Sequence, residues 1–195
     1  QGANPVSDMW ALHALKLMAE NLPRAFADTS DEEARANMML AAAIAGIGFG
    51  NAGVHLPHGM SYPVAGNVRE FTPPGFEVDH PMVPHGMSVI LHTPAVAQFT
   101  APSSPDRHLR AAEALGVDTR DAAPEDAGEV LASRVVELMQ VLKMPSGLAE
   151  VGYTSDDIPK LVEGTLPQHR VTKLSPIPAG KAELTSLFQN SMKIW

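Results

Sequence analysis

The sequence predicts an all-α domain built as a multi-helix bundle, and three observations carry that expectation. Alanine, leucine and methionine dominate, with 10 Met in the chain, while the alternating β-branched pattern of strands is scarce. Apolar residues recur at helical spacing along most of the chain. Prolines stand where helical patterns open, at Pro84, Pro105 and Pro124, positions where a missing N–H costs nothing. No sheet beyond a short hairpin is expected.

The first helix is expected over 7–20, capped by Ser7 or Asn4, with Met9, Leu12, Leu15 and Leu17 on its apolar face. Pro23 interrupts that pattern. Asp31, Glu32 and Glu33 open a second helix, placing acids at its positive end. Its polar face disappears after Asn37, so its later turns are expected to be buried all round. The apolar run 38–50 falls short of the roughly 20 residues that a membrane span requires and reads as a buried helix of a soluble protein. Residues 63–84, rich in Pro and Gly, read as one long loop, and loops of that length are often functional. Further helices are expected over 84–98, 105–115, 124–142, 154–164 and about 180–193.

Composition narrows the function classes. With 22 acidic and 14 basic residues the net charge is −8, which argues against a nucleic-acid partner and against an anionic membrane surface. There is no cysteine, so disulfides, thiolate metal sites and cysteine nucleophiles are excluded. Gly48-Phe49-Gly50-Asn51-Ala52-Gly53 fits the spacing of a dinucleotide-binding turn. That turn needs a strand before it, and here helix-forming residues precede it. The plainer expectation is that Gly46, Gly50 and Gly53, at helical spacing, allow another helix to approach.

The strongest feature is an echo. Pro57-His58-Gly59-Met60-Ser61 recurs as Pro84-His85-Gly86-Met87-Ser88, so the two histidines lie 27 positions apart and flank the Pro/Gly-rich segment. A loop of that length can fold back and bring them together. Neutral imidazole is the commonest protein ligand for metals. Two imidazoles alone hold a catalytic divalent cation poorly, and a carboxylate would supply the missing negative charge. His55 and His80 lack the Pro-x-Gly-Met context, and His13, His92, His108 and His169 read as ordinary helix or loop residues.

The stretches 48–63, GFGNAGVHLPHGMSYP, and 83–89, VPHGMSV, resemble the signature region of the iron-containing alcohol dehydrogenases. The resemblance is nearest within the hydroxyacid-oxoacid transhydrogenase branch. It is carried by NPVSDMW at 4–10, GNAGVH at 50–55, VDHP at 78–81, RHL at 107–109, VGY at 151–153, DIP at 157–159 and GTLPQHRVTKL at 164–174. The resemblance implies the helical C-terminal domain of the dehydroquinate synthase-like fold, spanning 1–195, with an N-terminal α/β nucleotide-binding domain lying outside this chain. It implies a divalent metal, Fe2+ first and Zn2+ as alternative, held by His58 and His85 together with an Asp and a His from upstream. It also implies NAD(P) in the full-length enzyme.

The substrates implied are small hydroxy- and oxo-carboxylates. Hydride would pass between 4-hydroxybutyrate and 2-oxoglutarate, in a homo-oligomeric enzyme of the cytoplasm or, alternatively, the mitochondrial matrix. The fragment alone is expected to be inactive. Tyr62 departs from the family, where many members carry a second His at that position. It is the candidate catalytic residue, passing a proton or hydrogen-bonding the substrate oxygen. The alternative role for Tyr62 is packing, with its hydroxyl on a backbone carbonyl. Arg69, Arg170 and Lys173 are the candidates for holding a substrate carboxylate. Two other functions fit less well: a general NAD(P)-dependent alcohol dehydrogenase, and a non-catalytic helical binding module.

Overall fold

Helix α1 (Pro5–Ala27) starts where Asn4 caps it in a computed structural model that describes residues 2–195. The Asn4 side chain accepts from the amides of Val6 and Ser7, and Ser7 Oγ in turn accepts from the amide of Asn4. This reciprocal cap satisfies donors that the first turn would otherwise leave open. The helix runs on through Pro23, contrary to the expected break. Its companion α2 (Glu32–Ala52) is capped by Asp31, and Arg24 ties the two together through Asp31 and Glu33. A long packed partner along α1 compensates for the hydrogen bond that Pro23 removes.

Two expectations about α2 fail. Only Ala34, Ala41, Ile44 and Gly48 are buried on it, whereas Met39 is 76% exposed and Leu40, Ile47 and Phe49 are also exposed. The helix packs along one side only, so an apolar circumference does not become a buried one. The glycine reading also shifts. A Cβ at Gly46 or Gly50 would meet nothing within 4 Å, while one at Gly48 would lie 3.4 Å from the Ala11 amide and 3.5 Å from the Ser7 carbonyl oxygen. Gly48 is thus the close-approach residue against α1. Gly53 instead ends α2 with φ +76°, in the region that favours glycine.

The remaining α-helices are α3 (Leu56–Gly66), α4 (His85–Ile90), α5 (Thr93–Thr100), α6 (Pro105–Ala114), α7 (Ala127–Val141), α8 (Ile158–Thr165), α9 (His169–Thr172) and α10 (Lys181–Asn190). No strand occurs among the described residues, in accord with the expected class. Nor is any single helix among them long and apolar enough to cross a membrane, and α2 and α3 reach that length together only across a 110° bend. Pro63 lies inside α3 and is buried, so the irregular segment begins after Gly66. The helix expected over 84–98 is divided at Leu91 and His92 into α4 and α5. Pro94, whose ring cannot continue a preceding helix, stands just inside the second piece.

The core sits where α3, α5, α7, α8 and α10 meet. Leu56, Met60, Val64, Leu91, Val96, Leu138, Met139, Leu161, Leu184 and Phe188 are all buried in one cluster. Tyr153 caps it, its hydroxyl donating to the carbonyl of Val64, and burial pushes that hydroxyl up to about 12. His92 is fully buried with its ring edge-on to Phe188 at 5.3 Å, and neither ring nitrogen has a hydrogen-bond partner. Burial pushes it down to about 3.

Two predictions follow from this packing. A Cβ at Gly59 would lie 2.8 Å from Thr172 Cγ2 and 3.4 Å from Val171 Cγ2, whereas one at Gly86 would meet nothing within 4 Å. Gly59→Ala should therefore lose roughly 1 kcal/mol, crowding outweighing helix propensity, while Gly86→Ala should gain up to about 1 kcal/mol. Chemical denaturation midpoints with opposite signs of shift would confirm the asymmetry. For His92, the unfolded chain takes up its proton near the ordinary value of 6.5 and the folded chain only near 3. Stability is therefore retained above pH 6.5 and lost as pH falls toward 3, by about 1.4 kcal/mol per pH unit from this group. His92→Leu should flatten that slope in acid-unfolding curves. An unchanged slope would show that the ring is solvated.

Candidate metal centre

Helix α3 places His58 in its first turn, behind Pro57, and α4 begins at His85 with Pro84 as its N-cap. The two copies of the echo are therefore the same local unit. In each, the serine three residues on turns its hydroxyl back onto the histidine carbonyl: Ser61 Oγ to His58 O at 2.8 Å and Ser88 Oγ to His85 O at 2.9 Å. Both serines are completely buried. The sequence reading passed over them, although their repetition three residues after each histidine was the available signal.

The structure brings the two imidazoles together. Their ring centroids lie 5.3 Å apart with the planes at 60°. Burial lowers the pKa of His58, and the nearby His85 lowers it further, so the ring is held neutral with a lone pair free to bind. His85 itself is exposed. The positive ends of α3 and α4 converge beside the pair, an arrangement unfavourable for a cation unless negative charge is supplied as well. Among the described residues no cluster of three or more His, Asp or Glu that could hold a metal ion is present. Among the described residues the site thus has two imidazoles and no carboxylate clustered with them.

Tyr62, one turn after His58 on α3, lies nearly parallel to the His85 ring, at 10° and 6.4 Å between centroids. Its hydroxyl faces Arg170 Nη2 at 3.4 Å. The backbone-carbonyl partner expected for a purely packing tyrosine belongs instead to Tyr153. The three candidate cations separate clearly. Arg69 forms a two-pronged pair with Asp157, both contacts at 2.8 Å, and also donates to Gly152 O at 2.7 Å. Arg69 in turn holds the Asp157 carboxyl down at about 2. Lys173 lines a groove of about 460 Å³ shared with Leu166, His169 and Thr172, apart from His58, Tyr62 and His85. Only Arg170 reaches the histidine pair, through Tyr62. His55 adjoins the site as the N-cap of α3, with Nδ1 buried and unpartnered, and burial pushes it down to about 4. His80 is exposed and pairs with Asp79.

Similarity to known proteins agrees with this geometry. The family described as "Fe-containing alcohol dehydrogenase family, C-terminal" matches residues 1–192. The mitochondrial hydroxyacid-oxoacid transhydrogenase of Bos taurus is 55% identical over the whole chain, which covers 42% of that protein. The chain therefore spans less than half the length of such relatives. Among solved structures, 1,3-propanediol oxidoreductase superposes with a TM-score of 0.87 at 26% identity, covering 98% of this chain and 47% of that one. Sulfoacetaldehyde reductase from Bifidobacterium kashiwanohense, solved in complex with NAD+, superposes with a TM-score of 0.76 at 25% identity, covering 96% and 44%. Matched almost end to end and helical throughout, the chain belongs to the Fe-containing alcohol dehydrogenase family and corresponds to its C-terminal part.

Proposed function

We propose that this chain is the helical, metal-holding part of an oxidoreductase that moves hydride between 4-hydroxybutyrate and 2-oxoglutarate. The observation that carries the reading is the pairing of His58 and His85 beneath the Tyr62 ring. Relatives named hydroxyacid-oxoacid transhydrogenase support a hydroxyacid and an oxoacid as substrates over those of a general alcohol dehydrogenase. Their being named mitochondrial supports the matrix over the cytoplasm.

In this reading His58 and His85 each give one ring nitrogen to a divalent cation, iron before zinc. An Asp and a His from an upstream nucleotide-binding half complete the set. When bound, the metal polarises the substrate oxygen and the nicotinamide carries the hydride. The chain's own residues do the rest. His58, its pKa lowered by burial, keeps a ring nitrogen free to bind. Ser61 and Ser88 fix the turns from which the two rings project. The Tyr62 hydroxyl, beside the His85 ring, hydrogen-bonds the substrate oxygen, which gives up its proton when the hydroxyacid is oxidised and takes one up when the oxoacid is reduced.

The 195-residue chain alone should show no turnover, because it holds only part of the ligand set and lies apart from the nicotinamide half. Misplacing reacting groups by even about 1 Å can cost a hundredfold in rate. Joined to the upstream half, it should regain tight metal binding and activity together. Assays with 4-hydroxybutyrate, 2-oxoglutarate and added metal check this. Turnover by the chain alone at the rate of the two-domain protein would overturn the division of labour.

A further inference from the structure

We infer that Arg170 holds the remote carboxylate of the substrate and so sets the enzyme's preference for acids over uncharged alcohols. The inference rests on the reading above that the substrates are carboxylates. It begins with the disposition of cations. Arg69 is consumed by Asp157, Arg107 by Asp8, Arg24 by Asp31 and Glu33, Arg120 by Asp118 and Arg134 by Glu137. Arg170 is exposed and forms no ion pair among the described residues; Arg35 and Arg110 form none there either, and it is the contact to Tyr62 that sets Arg170 apart from them. Among the described residues its guanidinium has one polar contact, to the Tyr62 hydroxyl at 3.4 Å, longer than an ordinary N–H···O bond and easily exchanged. A guanidinium carries five N–H donors in a fixed fork that matches a carboxylate.

Its backbone is nevertheless held in place. Val171 is buried, and the absent side chain of Gly59 lets α9 lie directly on the first turn of α3, beside His58. Tyr62 spans the interval, its ring against His85 and its hydroxyl against Arg170. A substrate with its reacting oxygen at the histidine pair therefore points its far end at Arg170. The two proposed substrates suit one such anchor. In 4-hydroxybutyrate and in 2-oxoglutarate alike, two methylenes separate the reacting carbon from the remote carboxylate. A single cation at a fixed distance serves both half-reactions.

The test uses the two-domain enzyme and its Arg170→Met and Arg170→Lys variants. Glutarate, a redox-inert dicarboxylate, is the calorimetric probe. Loss of a charge-assisted hydrogen bond predicts glutarate binding weakened by roughly 10- to 100-fold in Arg170→Met, with Arg170→Lys between it and the wild type. The ratio of kcat/KM for 4-hydroxybutyrate over 1-butanol should fall at least about tenfold. Unchanged glutarate affinity, or an unchanged ratio despite lost activity, would overturn the assignment, the latter marking Arg170 as a support for Tyr62 alone. A wild-type enzyme that ignores hydroxy acids while its glutarate binding still depends on Arg170 would sink the substrate reading and leave the anchor standing.

Discussion

The arrangement depends on the burial of one face of α3. Leu56, Met60 and Val64, spaced one turn apart, are completely buried and pack into the core shared with α5, α7, α8 and α10. Each such side chain contributes about 1.5–3 kcal/mol, so the rotational setting of the helix is firmly fixed. Residues half a turn away are carried to the opposite side. His58 and Tyr62 lie there, one turn apart, facing α4 and α9. The side of α3 that carries the candidate site residues is thus a consequence of its hydrophobic side, as helical periodicity requires.

The echo illustrates how one local sequence serves two surroundings. Proline sets the helix start, histidine projects from the first turn, and the serine closes onto the histidine carbonyl, in both copies. Beyond that the copies diverge. Met60 is buried in the core, and Gly59 is pressed against α9. Met87 is only partly buried, and Gly86 faces open space. Identical residues thus answer a packing demand in one place and none in the other.

The helical class and the meeting of His58 with His85 could be read from periodicity and repetition, because both are local or pairwise signals. The dinucleotide-like glycines lie in α2 and at its C-cap, with helix and not strand before them, and that requirement is also local. What the sequence hid was long-range. Pro23 and Pro63 sit inside helices because packing outweighs their backbone cost, and no local rule reports that. The apolar circumference of α2 suggested full burial, yet only a partner on every side could deliver it. Arg69, Arg170 and Lys173 look alike as sequence. Only the approach of Asp157 to Arg69 and of Tyr62 to Arg170 distinguishes them.

The placement of charge supports the proposal that the chemistry calls for two halves. The chain carries a net charge of −8, but its well-placed acids are already engaged. Asp31 caps α2, Asp8 binds Arg107, Asp157 binds Arg69, and Glu183 accepts from the Gly180 amide at the start of α10. None joins the histidine pair in a cluster that could hold a metal ion. Two imidazoles beside two positive helix ends and an unpaired guanidinium form a locus that attracts anions. That suits a carboxylate substrate and disfavours a bare cation. In the proposed enzyme, a carboxylate from outside the chain would reverse the balance for the metal, while Arg170, on the far side of Tyr62, would keep its attraction for the substrate. Under the proposed function, metal affinity and acid selectivity would therefore be separable, the first set by the upstream half and the second by this chain.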